Sequence, residues 1–566
     1  MKMFITKYSY LIVFTILLIS IGIYGFIHTE LPDIRSNIPI TFIIESGESN
    51  MHLSLYQAED RQCYVFLPSH AQMEQVKINT TANADISIGN TQIYDGIYCN
   101  VFEPGKNYVF KINNRPDMTL TFYQSANVAT LYIDTATGSM TRIHNNKDYE
   151  EPSSLTLFLP NGEVSYSDQN CHLKGRGNST WGQDKKPYSL TLSSSASLLG
   201  MTPSTDWVLL ANAFDNTNLR NKIVYDLSAE TSPAWTPSCE YADVYLNGSY
   251  NGLYLLSERI EADPAHLDIA VSDGSFLCKV DHSDRWDFMR HPFKSSLGRS
   301  IEITGPKELT SDAAELIQHS VNEMESIFLS TASDLTFANI DLDSWVYKYL
   351  IDEISGNGDA DLASSYFYYE DGTFYAGPVW DYDNSFGNTI SNENPIAFTA
   401  KNYHKAPYYR SPYYASLYNN KHFYNHMVEM YKTVFQPLLY ELLDTGIPEL
   451  SQKISKASGM NSIRWQSMFE QNNLHVSTPQ ELMEYLQQRI DFLNNAWING
   501  TDYCTVQFQT LPHGRYYNYA VKKGECIDIS GLETDFTTWY NADTGEIFDI
   551  AMPITEDIAL ISQYEQ

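Results

Sequence analysis

Positive charge is what this chain has least of. Its 36 lysines and arginines face 69 aspartates and glutamates, for a net charge of −33. A surface of that sign does not neutralise phosphates along a duplex, which argues against nucleic-acid binding. Cysteine is scarce too: there are seven, at positions 63, 99, 171, 239, 278, 504 and 526, and no two have C-x-x-C spacing. Neither a zinc site nor a redox motif follows from such a pattern. In an exported protein disulfides are permitted, and the local pairs would be Cys63 with Cys99 and Cys504 with Cys526. An odd total leaves at least one thiol over, and isolated buried cysteines are the alternative.

One stretch lacks charge altogether. Tyr8 to Ile27 is a run of 20 uncharged residues, long enough to span a bilayer as a helix. Lys2 and Lys7 precede it, and Glu30 and Asp33 follow, which predicts an N-in orientation with the bulk outside. A cleaved signal peptide has a shorter apolar core and ends in small residues, whereas this run ends Tyr24-Gly25-Phe26-Ile27. Residues 1–34 therefore read as a cytoplasmic tip and membrane anchor of a single-pass, outward-facing protein. Cleavage of that segment would instead make the protein secreted.

What is present falls into three further parts, as a chain of 566 residues implies. Residues 35–125 alternate in short segments such as "ITFIIES", "QCYVFLPS" and "NYVFKIN", the pattern of a small β-sandwich. From 126 to 500 strands and helices interleave, which predicts one large α+β domain. Here "NLRNKIVYDLSAE" carries Leu219, Ile223 and Leu227 at helical spacing. Asn247-Gly248 and Asp371-Gly372 mark hairpin turns. Residues 501–566 return to strands. Their "FTTWYNADTGEIFDIAMPITEDIALISQYEQ" resembles an internalin B-repeat (Listeria–Bacteroides repeat), which implies a β-grasp-like module that binds a cell-surface ligand.

Two motifs could carry chemistry. In "LKGRGNSTWGQDKKPYSLTL", 173–192, Gly175 and Gly177 open a G-x-G turn that runs into a strand, not into the helix of a dinucleotide-binding fold. Period-two alternation predicts that Lys186 shares one face with Tyr188, Leu190 and Leu192, and that Lys185 lies opposite. An inward lysine after a glycine turn is how kinases hold ATP phosphates; a lysine snorkelling to the surface is the plainer reading. The second motif is "DEISGNGDADLASSYFYYEDGTFYAGPVWDYDNSFGN", 352–388. Asp359 falls on a loop and Asp381 at the end of a strand, the separation of base and metal ligand seen in kinases. A calcium loop starting at Asp381 fails, because Phe386 and Asn392 stand where glycine and glutamate are needed. A carboxylate pair for glycoside hydrolysis remains open, but it leaves Lys186 and the glycine turn unused.

With these residues in view, the run "KGRGNSTWGQDKKPYSLTL", "DWVLLANAFDNTNLRNKIVYDL", "NGLYLLSERIE", "GPVWDYDNSFGN" resembles the spore coat protein H (CotH) kinase family over 126–500. The resemblance implies an atypical, two-lobed protein-kinase fold that binds ATP with Mg²⁺ or Mn²⁺. It further implies phosphorylation of serine or threonine on surface or spore-coat proteins. Asp359 matches the family's catalytic aspartate and Asp381 its metal-binding aspartate, with Asp383 assisting. Lys186, Arg176 and Glu258 are the nucleotide-binding candidates it suggests. Ser364 or Ser365 stands where many members place asparagine as a second metal ligand. Only Asp226 and Glu230 offer an acid in the 216–230 helix to pair with Lys186. The tyrosines of 403–418 read as packing residues with exposed hydroxyls, with a substrate-facing rim as the alternative. A catalytically silent surface protein that keeps the fold is the rival reading.

Overall fold

In the computed structural model of the chain, residues 38–562 are described except 46–49, 59–60, 81–83, 114, 264–265, 270–273, 330–336, 338, 361, 389–397, 399–411, 473–476, 510–515 and 531–536. The run at 8–27 lies outside the described residues, as do tyrosines 403, 408 and 409. Among the described residues no helix is long and apolar enough to cross a membrane. Packing divides the chain into two units, Met1–Leu67 with Ala71–Tyr123, and Pro68–His70 with Gln124–Gln566.

The first unit has a four-stranded and a six-stranded sheet. Alternation builds it: in Ile40–Ile44 every second residue is buried, and Phe42 meets Phe122 edge-on at 5.7 Å between ring centres. Cys63 lies in the six-stranded sheet with its thiol 3.8 Å from the Met118 sulfur. Cys99 instead follows the edge strand Ile97–Tyr98 of the other sheet. All seven cysteines are free thiols, six of them buried. The predicted Cys63–Cys99 and Cys504–Cys526 bonds are therefore not formed: the first two thiols are buried at different sheets, and Cys504 is buried in a core whereas Cys526 is exposed with its thiol on the Ala551 carbonyl.

The second unit is mixed α+β. Seven strands close a barrel: β1 (Ala129–Thr135), β2 (Glu151–Phe158), β3 (Val164–Gly175), β4 (Tyr188–Ala196), β5 (Ser204–Leu210), β6 (Cys239–Leu246) and β7 (Ser249–Glu258). The order round the barrel is β1-β2-β3-β4-β5-β7-β6, and the parallel β1–β6 pair shuts it. β6 and β7 form the expected hairpin, and Asn247 and Gly248 both take positive φ, 49° and 78°, as a tight two-residue turn requires. Helix α1 (Arg220–Thr231) crosses between β5 and β6.

A five-stranded sheet follows, built from β8 (Phe276–Asp281), β9 (Pro292–Lys294), β10 (Ser300–Gly305), β11 (Ser365–Glu370) and β12 (Thr373–Ala376) in the order β9-β10-β8-β11-β12. Helices α2 (Ser311–Leu329), α3 (Leu342–Ser355), α4 (Pro412–Asn419), α5 (Lys421–Met430), α6 (Ile447–Arg464), α7 (Gln466–Asn472) and α8 (Pro479–Leu493) accompany it. One core runs through α1, this sheet and the helices other than α7, with Trp345, Tyr349, Phe367, Tyr413 and Tyr414 in it. The barrel has its own core, which takes in Trp465, between α6 and α7, and Met468 and Phe469 of α7. Strands β13 (Tyr503–Gln509), β14 (Tyr516–Lys522), β15 (Trp539–Asn541), β16 (Ile547–Phe548) and β17 (Ile558–Ile561) form a last sheet whose first and last strands pair in parallel.

Candidate functional site

The glycine turn after β3 is shaped by what its glycines leave room for. A Cβ on Gly175 would stand 2.3 Å from the Trp181 ring, and one on Gly177, at φ 80°, 2.4 Å from the Thr180 hydroxyl. The turn folds back on itself and presents Arg176 between them, 5.2 Å from the centre of the Trp380 ring. Its Nη1 is buried and meets no hydrogen-bond acceptor. Burial first, then the neighbouring Arg259, push its pKa down, while Tyr366 and Asp381 oppose them.

Arg176 and Trp380 line a cleft of about 400 Å³ together with Arg259, Lys279, Arg290 and Lys307. Against these five cations the lining holds two acids, Glu261 and Glu302. Lys279 pairs with Glu302 at 2.8 Å, and Lys307 with Glu261 at 3.2 Å. Asp206 lies 3.7 Å from Arg259 and Asp281 3.1 Å from Lys279 just behind the wall, yet the lining itself holds more cations than acids in a chain of net charge −33. Five separated segments supply the cations, so local pattern alone did not reveal them. One signal was available: Lys279 stands on a strand between the buried Cys278 and Val280, which turns its side chain to the opposite face.

Next to the cleft the chain forms the Asp381–Asp383 turn. Asp381 adopts φ 70°, a left-handed conformation uncommon for a residue with a side chain. α1 holds the turn from the side. The Tyr382 N–H donates to Asn221 Oδ1 at 2.7 Å, and Arg220 Nε donates to the Ser385 carbonyl at 2.8 Å. Arg220 also forms a buried ion pair with Asp215, and Asp215 Oδ2 accepts the Arg220 N–H at 3.0 Å. Arg220 is thus a buried brace for the turn.

Asp383 is buried. Burial, followed by the charges of Asp381, Asp215 and Asp359, raises its pKa far above the ordinary carboxylate value, against the pull of Arg220. Among the described residues no hydrogen-bond donor reaches its carboxylate. To ionise there this carboxyl needs a cationic partner, and a hard divalent cation is one that oxygen donors of this kind fit. No group of three His, Cys, Asp or Glu side chains among the described residues is arranged to hold a metal. Such an ion would draw its other ligands from water and phosphate, as magnesium commonly does.

Asp359 opens a turn beyond α3, its N–H on Asn357 Oδ1 at 3.1 Å. His282 Nε2 lies 4.0 Å from its Oδ1, and 40% of its side chain remains accessible. The walls of the site, and then the charge of Asp381, raise its pKa, whereas His282 and Arg285 lower it. Ser364, itself at φ 48°, donates its hydroxyl to Asp381 Oδ2 at 3.0 Å. Of the two serines it is Ser364, not Ser365, that reaches this carboxylate; Ser365 begins β11 and is buried.

The remaining candidates lie elsewhere. Strand β4 starts only at Tyr188, because Pro187 has no N–H to extend the ladder. Lys186 therefore does not lie on the inward strand face. Its ammonium donates to the Trp181 and Gln183 carbonyls at 2.9 and 3.1 Å. The buried lysine is Lys185, whose ammonium donates to the Leu253 carbonyl at 2.6 Å and stands 4.7 Å from the centre of the Tyr254 ring. Glu258 is also buried, and its two oxygens accept the Thr202 and Ser238 N–H groups at 2.7 and 2.9 Å. It is the next residue, Arg259, that reaches the cleft. The structure thus brings Asp359, Asp381, Asp383 and Arg176 together, and commits Lys186 to nearby carbonyls and Glu258 to the N–H groups of Thr202 and Ser238.

No curated protein matches the chain. Residues 173–493 match the family described as CotH kinase protein. That match begins on the strand leading into the glycine turn, takes in both acidic segments, and ends with α8. Because it spans more than half of the sequence, the chain belongs to the CotH kinase protein family.

Proposed function

We propose that this protein is an atypical kinase that transfers phosphate from ATP to a serine or threonine hydroxyl of a protein acceptor. The observation that carries this reading is the cationic cleft beside Asp381. Five basic side chains converge there in a chain of net charge −33, and Trp380 offers an aromatic wall. Arg176, with a buried N–H and no acceptor, is suited to a phosphate oxygen. Asp381 and Asp383 would hold Mg²⁺ or Mn²⁺, which when bound offsets the negative charge of the phosphates.

In the reaction the acceptor oxygen bonds to the γ-phosphorus, the bond from that phosphorus to ADP breaks, and the hydroxyl proton passes to Asp359. A raised pKa suits Asp359 to that role, since a base works best when its pKa approaches the operating pH. Lys186 would reach the nucleotide only by leaving the Trp181 and Gln183 carbonyls. Glu258 would act by supporting the segment that carries Arg259.

The rest of the proposal concerns placement. The run at 8–27 would anchor the protein in the cell membrane with its bulk outside, or be cleaved to release it. The two lobes of a kinase would correspond to the barrel and to the sheet with its helices. The internalin-repeat-like end would bind a surface ligand. A catalytically silent member is the second reading, favoured by Ser364 where an amide ligand is common. Titration with ATP and Mn²⁺, followed by thermal unfolding, tests the proposal. A rise in melting temperature that Asp381→Ala abolishes supports nucleotide binding, and label transfer lost in Asp359→Ala supports catalysis. No rise with either metal overturns the kinase reading, and stabilisation without transfer favours the silent one.

A further inference from the structure

Beneath the two acidic segments lies a third carboxylate that the reaction itself does not use. Asp352 is fully buried on the last turn of α3. Its Oδ1 accepts the Tyr382 hydroxyl at 2.6 Å and the Asn357 amide at 3.0 Å. Its Oδ2 accepts the Lys348 ammonium at 2.5 Å and the Tyr414 hydroxyl at 2.8 Å. Tyr382 is the residue between Asp381 and Asp383, and its ring is buried. Asn357 turns its other side-chain atom, Oδ1, to the Asp359 N–H at 3.1 Å. An unbroken line of hydrogen bonds therefore runs from the Asp381–Asp383 turn, through Asp352, to the backbone of Asp359.

We propose that Asp352 is the positioning residue that fixes the Asp359 loop and the Asp381–Asp383 turn relative to one another. This rests on the reading of those two segments as one phosphoryl-transfer site. Neither segment belongs to a helix or strand, so neither is located by a backbone ladder. Asp381 is held at φ 70°, a conformation that persists only where the surroundings enforce it. Four donors occupy both oxygens of Asp352, leaving its carboxylate one orientation, and Lys348 balances its charge. A rigid hub of this kind turns two irregular loops into one geometry. The Phe386 N–H on the Ser355 carbonyl, at 2.5 Å, braces the same turn independently, so loss of Asp352 loosens the site without unfolding it.

The test uses the full chain and three variants: Asp352→Asn, Tyr382→Phe and Asn357→Ala. Amide hydrogen exchange is followed at Asp359 and at Tyr382–Ser385, with barrel amides as the internal reference. Asp352→Asn is expected to speed exchange at both segments while the barrel is unchanged. Tyr382→Phe should act on the 382–385 side and Asn357→Ala on the Asp359 side. With Mn²⁺ alone as the probe, Asp352→Asn and Tyr382→Phe should weaken binding by roughly 10- to 100-fold, the usual effect of removing a group that orients a ligand. In turnover, Asp352→Asn should lower kcat with little change in the KM for ATP. Exchange that is unchanged at both segments, or that rises equally in the barrel, overturns the proposal and makes Asp352 a core residue only. If the native chain shows no response to Mn²⁺ or ATP, the kinase reading fails, and the exchange pattern still decides whether Asp352 couples the two segments.

Discussion

Arg176 is stable where it stands only at a cost. One of its guanidinium nitrogens is buried without an acceptor, and no carboxylate among the described residues lies within ion-pair distance. Uncompensated burial of that kind is destabilising, and such residues are retained where binding needs them. Arg176→Met is therefore expected to leave the melting temperature of the ligand-free protein unchanged or higher. It should also weaken ATP by roughly 10- to 100-fold, the value of a charge-assisted hydrogen bond. A ligand-free melting temperature that drops sharply, with ATP affinity intact, would make Arg176 structural. Asp359 offers a second test at this scale. A base acts when deprotonated, so the rate falls as pH drops through its pKa. His282, and after it Arg285, hold that pKa down against burial and Asp381. Arg285→Gln should thus move the acid limb of the kcat/KM profile to higher pH, and a shift the other way would remove Asp359 from the role.

Among the elements, the contact of α6 with the barrel is the most exacting. Asn461 Oδ1 accepts the Leu253 N–H at 3.1 Å, and the Trp465 indole donates to the Asn251 carbonyl at 2.9 Å. Gly252 lies between them at φ 113°, where a Cβ would stand 2.5 Å from Asn461 Oδ1 and 2.9 Å from Trp465 Nε1. Gly252→Ala should lower stability by about 2–4 kcal/mol in denaturant titration, combining backbone strain with overpacking. A change under about 0.5 kcal/mol would mean that α6 can shift aside. Several such elements were legible in the sequence. The Asn247-Gly248 and Asp371-Gly372 turns carry their own backbone chemistry, and Tyr188, Leu190 and Leu192 do share the barrel interior. The phase failed two residues earlier because Pro187 ends the ladder, which exchanged the expected positions of Lys185 and Lys186. Asp352 was invisible for a different reason. Lys348 stands one helical turn before it, a spacing the sequence does carry, but Tyr382 and Tyr414 lie 30 and 62 residues away and meet it only after folding.

For the molecule as a whole, every candidate site residue belongs to the second unit. A chain starting at Gln124 should retain the ATP- and Mn²⁺-dependent rise in melting temperature. It would lose the Ser69 hydroxyl on the Val128 carbonyl at 2.9 Å and the stacking of His70 on Phe158, so its ligand-free stability should fall modestly. Disappearance of the rise itself would show that residues before 124 take part in binding. The seven free thiols have a practical corollary. Six are shut inside and only Cys526, whose thiol donates to the Ala551 carbonyl at 3.0 Å, is exposed. A maleimide dye added to the folded protein should attach at one place, far along the chain from the acidic turns, and give a single-colour reporter without cysteine engineering. Mild oxidation, for the same reason, would stop at a covalently joined pair of molecules instead of a network.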